Sequence, residues 1–573
     1  MPPIRPTTAP SLPSINDQSP PSSTLSKTRS MSDLYANTQE IRNFDYTTCQ
    51  FALNITDPTT YTEACKLPAW QTTMHEELAA IEKNQTWVLT TLPAGKNLVG
   101  LKWLYKTKVG PDGKIVKYKA RLVAKGYSQQ YGVDFLETFA PVARFETIRV
   151  VVAIAAQMGW PIHQLDVKSA FLNGDLSEEI YVEQPEGFLV KGKEQMVYKL
   201  HKALYGLKQS PRAWYAKIDG YFAEHGFRRS ANEPTLYIKQ LDTDSIIYVC
   251  LYVDDIICTA STSFLIAEFK HGMKIAFEMT DMGFLEYFLG LEVFQNSKGI
   301  FLGQKSYVVN LLKKFGMSNC NIEATPVNVL EKLQMEDGQD KVDAELYRSL
   351  VGGLIYLTHT RPDLAYAVSL VSRFIQSPSK NHFGAGQRIL RYVAGTTNFG
   401  VWYKKDAPIT LIGYSDSDWA SSIDNRKSVS AYVFMLGTGA VSWCSKKQLT
   451  VALSSTEAEY IASTGAACQG VWIRRILEDL GFKQDGATVI YCDNNSAINL
   501  SKNPVLHSRS KHIELKYHFI RDLVAQNQIK LEFCDTHHQV ADVLTKGLTR
   551  EKFVFFRHLM GVIEFELKGD VEA

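Results

Sequence analysis

The sequence is poor in the features that mark secreted, disulfide-linked or membrane-spanning proteins. Its nine cysteines stand singly and form no CxxC pair, which argues against a zinc site or a disulfide framework and for a reducing compartment. No apolar run approaches the ~20 residues that a membrane helix needs. The N-terminus also lacks the charged-then-apolar layout of a signal peptide. We therefore expect an intracellular protein that is not secreted.

An excess of charge of either sign is missing as well. The chain has 62 basic and 60 acidic residues, a net charge of +2, so a nucleic-acid partner would have to bind local basic patches. The length of 573 residues exceeds what one hydrophobic core supports and predicts about three or four domains. With 45% hydrophobic and 21% charged residues, most of the chain is expected to be globular.

Composition and periodicity divide the chain into five segments. Residues 1–60 are rich in Pro, Ser and Thr, which is typical of a disordered lead-in. Strand-like and helical stretches alternate over residues 61–325, and a helical segment with a basic side covers residues 326–405. A second succession of strands and helices covers residues 406–549, which leaves residues 550–573 as a C-terminal tail. This order predicts a multidomain α/β and α+β fold.

Two aspartate-bearing segments indicate chemistry. Asp166 ends the apolar run in PIHQLDVKSAF, and Asp254 and Asp255 lie between two β-rich runs in IYVCLYVDDIICTA. Neighbours in a regular strand point to opposite faces, whereas at a hairpin tip both can approach one ion. Such carboxylates can hold two divalent cations for in-line phosphoryl transfer. An Asp-Asp pair by itself is more often a polar turn, so the surrounding motifs have to decide.

Those motifs carry a specific resemblance. The segments YKARLVAKGYSQQYGVDFLETFAPVARFETIR, QLDVKSAFLNG, LYGLKQSPRAW, LYVDDIIC and FLGLEV closely resemble the Pol polyprotein of copia-type (Pseudoviridae) LTR retrotransposons of the plant kind. The resemblance runs from about residue 60 to the C-terminus and covers the reverse transcriptase plus ribonuclease H portion. It implies a right-hand polymerase with fingers and palm in residues 61–325. A helical thumb and connection would occupy residues 326–405, and a ribonuclease H-like α/β domain residues 406–549.

The resemblance assigns roles to the polymerase residues. Asp166 and Asp254 would be direct metal ligands, with Asp255 as a supporting carboxylate at the same metal site. Phe171 would be the aromatic gate that excludes a 2′-hydroxyl. Arg121 would grip the incoming triphosphate, a task that suits an always-charged, planar donor.

These assignments have plainer alternatives. Phe171 would otherwise be a core aromatic residue, and Arg121 would be one of the alternating basic residues on a solvated strand face. Gly206, Lys208 and Gln209 fall where the family contacts the nucleotide and template. An ordinary helix start with polar residues accounts for these three equally well.

The C-terminal region repeats the carboxylate pattern on a different scaffold. Its succession of strand, hairpin, helix, strand, helix and strand resembles the ribonuclease H fold. The acidic positions of that fold map onto Asp416, Glu459, Asp493 and Asp542. Four clustered carboxylates repel each other unless cations neutralise them, which favours a two-metal hydrolytic site.

Two of these acids have nearby competitors. Glu457 completes a capping box that begins at Ser454, and capping would also account for Glu459. The family pattern of Ala-Glu followed by a large apolar residue selects Glu459. Asp418 lies two residues after Asp416, and family position favours Asp416.

Basic residues near the C-terminal acids are weaker candidates. His537 and His538 could assist product release, although many cellular ribonucleases H place a histidine farther from the last acid. Lys511 and His512 recur in the family near the hybrid substrate. A solvated basic helix explains these two equally well.

Together these features predict an RNA-directed DNA polymerase with ribonuclease H activity, from a truncated polyprotein that lacks capsid, protease and integrase signatures. Two Mg²⁺ ions are expected at each site, with Mn²⁺ as an alternative. Expected partners are an RNA template, a DNA primer, an RNA–DNA hybrid and deoxynucleoside triphosphates, in a cytoplasmic particle or the nucleus, with no membrane partner. A catalytically silent nucleic-acid-binding relic and a ribonuclease H without polymerisation are the alternatives. The oligomeric state stays open.

Overall fold

The computed structural model describes residues 57–109, 115–329, 332–502 and 513–565, and these ranges belong to one compact unit. Most of the expected disordered lead-in lies outside the described residues, as do Lys511 and His512. Among the described helices, none is both long and apolar enough to cross a bilayer.

The first half of the described chain alternates helices with short strands. Its elements in chain order are α1 (Tyr61–Ala64), α2 (Pro68–Lys83), β1 (Trp87–Thr90), β2 (Leu98–Val99), β3 (Leu101–Val109), β4 (Ile115–Ala124), α3 (Phe145–Met158), β5 (Ile162–Val167), β6 (Asp175–Val182), β7 (Val197–Lys202), α4 (Ser210–Glu224), β8 (Arg228–Arg229), β9 (Leu236–Gln240), β10 (Ile246–Tyr252) and β11 (Asp255–Ala260).

The second half contains the expected helical segment and then a second α/β succession. Its elements are α5 (Ser263–Ala276), β12 (Met279–Phe284), β13 (Tyr287–Phe288), β14 (Leu291–Asn296), β15 (Gly299–Gly303), α6 (Lys305–Lys314), α7 (Ala344–Leu357), α8 (Ala365–Val371), α9 (Lys380–Ala394), β16 (Phe399–Lys404), β17 (Leu411–Ser417), β18 (Val429–Leu436), β19 (Gly439–Lys447), α10 (Ser455–Asp479), β20 (Thr488–Cys492), α11 (Asn495–Lys502), α12 (Phe519–Ala525), β21 (Ile529–Phe533), α13 (Arg550–Leu559) and β22 (Val562–Glu564).

The central sheet has the strand order β12-β5-β11-β10-β9-β8. Alternation along β5 buries Leu165 and Val167 in the core that α4 and α5 cover. Because strand residues alternate faces, the same pleat turns Gln164 and Asp166 to the other side of the sheet. Each large apolar side chain buried here contributes about 1.5–3 kcal/mol. The core therefore fixes the direction in which Asp166 points.

The β3–β4 hairpin lies over the N-terminal helices. Trp70, Met74 and Ile81 of α2 are buried together with Trp103 and Leu122 of the hairpin. Their spacing along α2 forms one apolar helix face. This packing places β4, and with it Arg121, beside the central sheet.

A third sheet, the bridging sheet, has the order β13-β14-β15-β16-β22. Its first three strands precede the segment 326–405 that was expected to be helical, and β22 comes from the far C-terminal end. β16 lies inside that segment, so its last residues form a strand. Residues 550–565, expected as a tail, thus form a helix and an edge strand. The physical reason is burial: Phe556 and Met560 are fully buried, and Val562 nearly so.

The C-terminal sheet has the order β19-β18-β17-β20-β21. β17 pairs antiparallel with β18, but it pairs parallel with β20, which is parallel to β21. Parallel neighbours end at the same edge of a sheet, so the residues that end β17 and follow β20 come close together. The mixed α/β, multidomain expectation is confirmed, with separate sheets packed in one compact unit.

Two candidate acidic sites

The first acidic site forms where β5 meets the β10–β11 hairpin. Asp255 lies directly opposite Asp166 in the antiparallel register, and the Val167 amide donates to the Asp254 carbonyl at 2.9 Å. The hairpin tip is therefore attached to the end of β5. Cross-strand partners in such a register share one face of the sheet, which brings the two acidic segments together.

The turn that carries Asp254 is strained. Val253 adopts a left-handed φ of +57°, which is rare for a β-branched residue and costs about 1–3 kcal/mol. The Trp214 indole donates to the Val253 carbonyl at 2.6 Å and holds the turn in place. Strain of this kind is characteristic of functional sites.

The aspartates differ in their surroundings. Asp166 and Asp254 line a cleft of about 840 Å³ together with Arg121. The Asp255 carboxylate instead accepts a hydrogen bond from the Gln164 side-chain amide at 3.1 Å. Asp166 and Asp254 thus face the cleft, whereas Asp255 is held by Gln164; the division into two metal ligands and one supporting carboxylate stays a prediction.

Arg121 has a buried partner that the sequence interpretation missed. Its guanidinium donates to Glu77 Oε2 at 2.6 Å, and Glu77 is only 3% exposed. Burial raises the pKa of Glu77, while the charge of Arg121 opposes that rise. The sequence did contain a signal for this buried partner, because Glu77 interrupts the otherwise apolar face of α2 formed by Trp70, Met74 and Ile81.

A pair of aromatic rings packs beside Arg121. The rings of Phe171 and Tyr205 are in contact, with their centroids 5.0 Å apart. The Arg121 guanidinium stacks over the Tyr205 ring, 5.0 Å from its centroid. Burial raises the pKa of Tyr205 to about 12, and the charges of Asp254 and Asp166 act in the same direction. Phe171 is half-buried and packs against the core of the central sheet, as the core-aromatic alternative predicts. Tyr205 was not among the expected site residues.

The three residues of LYGLKQSPRAW have structural roles in this conformation. Gly206 has φ +92°, and a Cβ there would lie 2.2 Å from the Ala124 carbonyl oxygen. The Gln209 side chain is buried; its amide donates to the Asp134 carbonyl at 2.8 Å and accepts from Gln129 at 3.0 Å. The exposed Lys208 ammonium donates to the Gln129 carbonyl at 3.2 Å. These contacts fix the loop after β4, so any nucleotide contact by Gln209 requires its amide to change partners.

The second acidic site collects side chains from four elements. Asp416 is the penultimate residue of β17, and Asp493 follows the parallel strand β20. Glu459 comes from α10, and Asp542 from a 3₁₀ turn over Val540–Leu544. One oxygen from each of Asp416, Asp493 and Asp542 lies within 4.8 Å of the others, as do ligand atoms of Glu459, Cys492 and Asp493. The structure thus brings the four predicted acids into one cluster.

The neighbouring acids have other partners. Glu457 caps its own helix, because its carboxylate accepts from the Leu453 amide at 2.7 Å. Asp418 accepts from the Val429 amide at 2.6 Å and orders the loop after β17. Glu459 instead accepts from the Ser417 amide at 3.1 Å, next to Asp416.

Clustering and burial change the acidity of this site. Burial, followed by the charges of Asp416 and Asp493, raises the pKa of Glu459. Burial and Asp416 likewise raise the pKa of Asp542. A divalent cation would relieve this repulsion, and an oxygen-rich donor set suits Mg²⁺ or Mn²⁺. The residues therefore fit a metal.

Other residues near this cluster differ from expectation. The Lys546 ammonium lies 2.8 Å from Asp542 Oδ1, and the buried Thr545 hydroxyl donates to Asp416 Oδ2; the sequence interpretation named neither. The i, i+4 spacing from Asp542 could have indicated Lys546. His538 pairs with Asp535 at the surface, and His537 is exposed next to it.

The first site lies within a recognisable sequence family. A model described as "Reverse transcriptase (RNA-dependent DNA polymerase)" matches residues 84–329. The Pol polyprotein from transposon TNT 1-94 of Nicotiana tabacum is 43% identical over 498 residues, 85% of this chain and 37% of the relative. The Pol polyprotein from transposon RE2 of Arabidopsis thaliana is 40% identical over 565 residues, 98% of this chain and 38% of the relative. A putative transposon Ty5-1 protein of Saccharomyces cerevisiae is 33% identical over 303 residues, 52% of this chain and 98% of the relative.

This chain belongs to the copia-type retrotransposon Pol family. The expected relationship to plant elements is thereby confirmed, and residues 84–329 are a reverse transcriptase family domain. The chain spans less than two fifths of the length of the two plant polyproteins. A foamy viral protease-reverse transcriptase in complex with double-stranded DNA aligns with 81% of this chain and 69% of its own, at 11% identity and a TM-score of 0.43.

Proposed function

We propose that this chain is an RNA-directed DNA polymerase with an associated ribonuclease H activity. The observation that carries the proposal is the opposition of Asp166 to the Asp254–Asp255 hairpin, in a cleft that Arg121 also lines. The proposed substrates are an RNA template, a DNA primer and deoxynucleoside triphosphates, followed by the RNA–DNA hybrid. The right-hand polymerase arrangement of residues 61–405 is part of the same proposal.

In the polymerase cleft, Asp166 and Asp254 would hold divalent metal, with Asp255 and Gln164 keeping the hairpin in register. Arg121 would bind the triphosphate, since a guanidinium pairs with phosphate oxygens through parallel hydrogen bonds. Glu77 fixes one edge of that guanidinium and leaves its other donors available. The ring of Phe171, backed by Tyr205, would restrict the space near the sugar.

In the C-terminal site, Asp416, Glu459, Asp493 and Asp542 would hold the metal and orient the scissile phosphate of the RNA strand. The Ser417 amide and the Thr545 hydroxyl keep two of these carboxylates aimed into the cluster. Mg²⁺, two ions at each site, is the proposed cofactor, with Mn²⁺ as an alternative. When bound, such ions neutralise developing charge on phosphate oxygens and activate the attacking oxygen.

Paired substitutions test the proposal. Asp254→Asn should abolish extension of a DNA primer on an RNA template by at least about 10³-fold while ribonuclease H activity persists, since charge stabilisation usually dominates such catalysis. Asp493→Asn should give the reverse pattern. Asp418→Asn is the matched control in the C-terminal sheet, because that carboxylate orders a loop outside the metal cluster.

The outcomes separate the alternatives. If wild-type protein extends no primer but cuts the hybrid, a ribonuclease H without polymerisation is the better description. If folded wild-type protein does neither, the chain is a silent nucleic-acid-binding relic.

The described cysteines are free thiols, as a reducing compartment would leave them, so we place the activity inside the cell, in a cytoplasmic particle or the nucleus.

A further inference from the structure

A lysine reaches into the C-terminal acid cluster. The Lys546 ammonium lies 2.8 Å from Asp542 Oδ1 and 4.0 Å from Asp416 Oδ2. Both carboxylates are almost completely buried, at 1% and 2% exposure. The ammonium therefore pairs closely with Asp542 and lies at the outer limit of an ion pair with Asp416, and the proposed function assigns both residues to metal binding.

The backbone next to this lysine is firmly held. The Thr545 side chain is fully buried, and the Thr545 and Lys546 amides both donate to the Asp542 carbonyl at 3.2 Å. By contrast, the Lys546 side chain is 42% exposed. A flexible four-carbon stem can move its ammonium toward solvent without disturbing that anchor.

We propose that Lys546 is a displaceable counter-ion of the acid cluster, which competes with divalent metal for Asp542 and Asp416. This inference rests on the proposed function of that site. The ammonium partly neutralises the carboxylates that it pairs with, and its positive charge repels an incoming cation. Metal binding then requires the ammonium to move away from Asp542, and the partly exposed side chain leaves it room to do so.

The competition predicts a gain of affinity when the charge is removed. Every sample is the full chain carrying Asp166→Asn, which weakens Mn²⁺ binding at the polymerase site. Free Mn²⁺ is followed by electron paramagnetic resonance during titration. Lys546→Met should lower the Mn²⁺ dissociation constant about tenfold, the equivalent of about 1.4 kcal/mol, whereas Lys546→Arg should leave it within about twofold of the parent.

A matched control removes one positive charge from the same region. Lys530 is an exposed residue of β21 that pairs with Glu532, so Lys530→Met should not alter Mn²⁺ affinity.

Lys546→Gln, with folding checked by circular dichroism, serves as a second neutral variant should Lys546→Met fold poorly. In the presence of a chelator, the neutral variants should unfold at a lower temperature than the parent, and saturating Mn²⁺ should remove that difference.

Unchanged or weaker Mn²⁺ binding in the folded neutral variants would overturn the inference and leave the proposed function intact. An equal gain of affinity in Lys530→Met would overturn it too, because general charge would then be the cause. If neither the parent nor the neutral variants show binding that Asp493→Asn removes, the inference and the metal-dependent function of this site fail together.

Discussion

Arg149 on α3 connects three parts of the molecule that are far apart in sequence. Its guanidinium donates to the Val441 carbonyl of β19 at 2.7 Å and to the His359 carbonyl after α7 at 3.1 Å. It also stacks on the Trp443 ring, 3.9 Å from the centroid. The side chain is 4% exposed, so these contacts are largely shielded from water.

The contacts allow the effect of Arg149→Ala to be estimated. Two carbonyls lose a charged donor, at about 1–3 kcal/mol each, and a desolvated cation–π contact contributes about 2 kcal/mol. Relief of the buried guanidinium offsets part of this loss. A net loss of about 3 kcal/mol in local stability is expected at the junction, which corresponds to about 10²-fold faster opening.

Hydrogen exchange read by mass spectrometry measures this opening directly. Amide exchange should accelerate in β19 and at the end of α7, segments more than 200 positions away in sequence. Arg144→Ala is the matched control, since that exposed residue only stacks on Trp472 at 4.9 Å and should change exchange by less than about fivefold. Acceleration confined to α3, or equal in both variants, would refute the reasoning.

Three further predictions follow from the described contacts. Glu77→Gln removes the charge that holds Arg121. The KM for deoxynucleotides in steady-state primer extension should therefore rise about tenfold, while the affinity for primer–template stays unchanged. An equal change in the KM and in the primer–template affinity would contradict a positioning role for Glu77. Phe556→Ala removes a fully buried ring and should lower the free energy of unfolding by about 3–5 kcal/mol. In heat-inactivation assays, the polymerase and ribonuclease H activities should therefore be lost together at a lower temperature. Earlier loss of one activity alone would argue against a shared folded unit. The pKa values of Asp542 and Glu459 are raised in the folded protein, so the folded state binds their protons more tightly than the unfolded chain does. This proton binding stabilises the fold fully below about pH 4. The stabilisation is lost as the pH rises through the pKa values of the folded protein. In chelator, the unfolding temperature from scanning fluorimetry should therefore fall from about pH 5 to pH 8, less steeply in Asp542→Asn, and a flat profile would count against the buried cluster.

The local patterns of this chain offered the candidate acids, and the family motifs around them selected which ones to examine. Asp166 and Asp254 stand at the ends of β-rich runs, and the alternation of residues in a strand specifies which face each one shares. The family pattern chose Glu459 over Glu457, and the structure places the latter in a helix cap. Such features depend on residues within a few positions of each other, which is why the sequence carries them.

Other features depend on contacts between distant segments. Glu77 meets Arg121 across 44 positions and Thr545 meets Asp416 across 129, and no local periodicity encodes those pairings. The same holds for β22, which completes a sheet begun by β13–β15 more than 250 residues earlier. Residue type and short-range spacing thus establish the family and the candidate acids. The packing of distant apolar faces decides which partner orients each acid, because burial selects a neighbour by shape and charge regardless of its place in the chain.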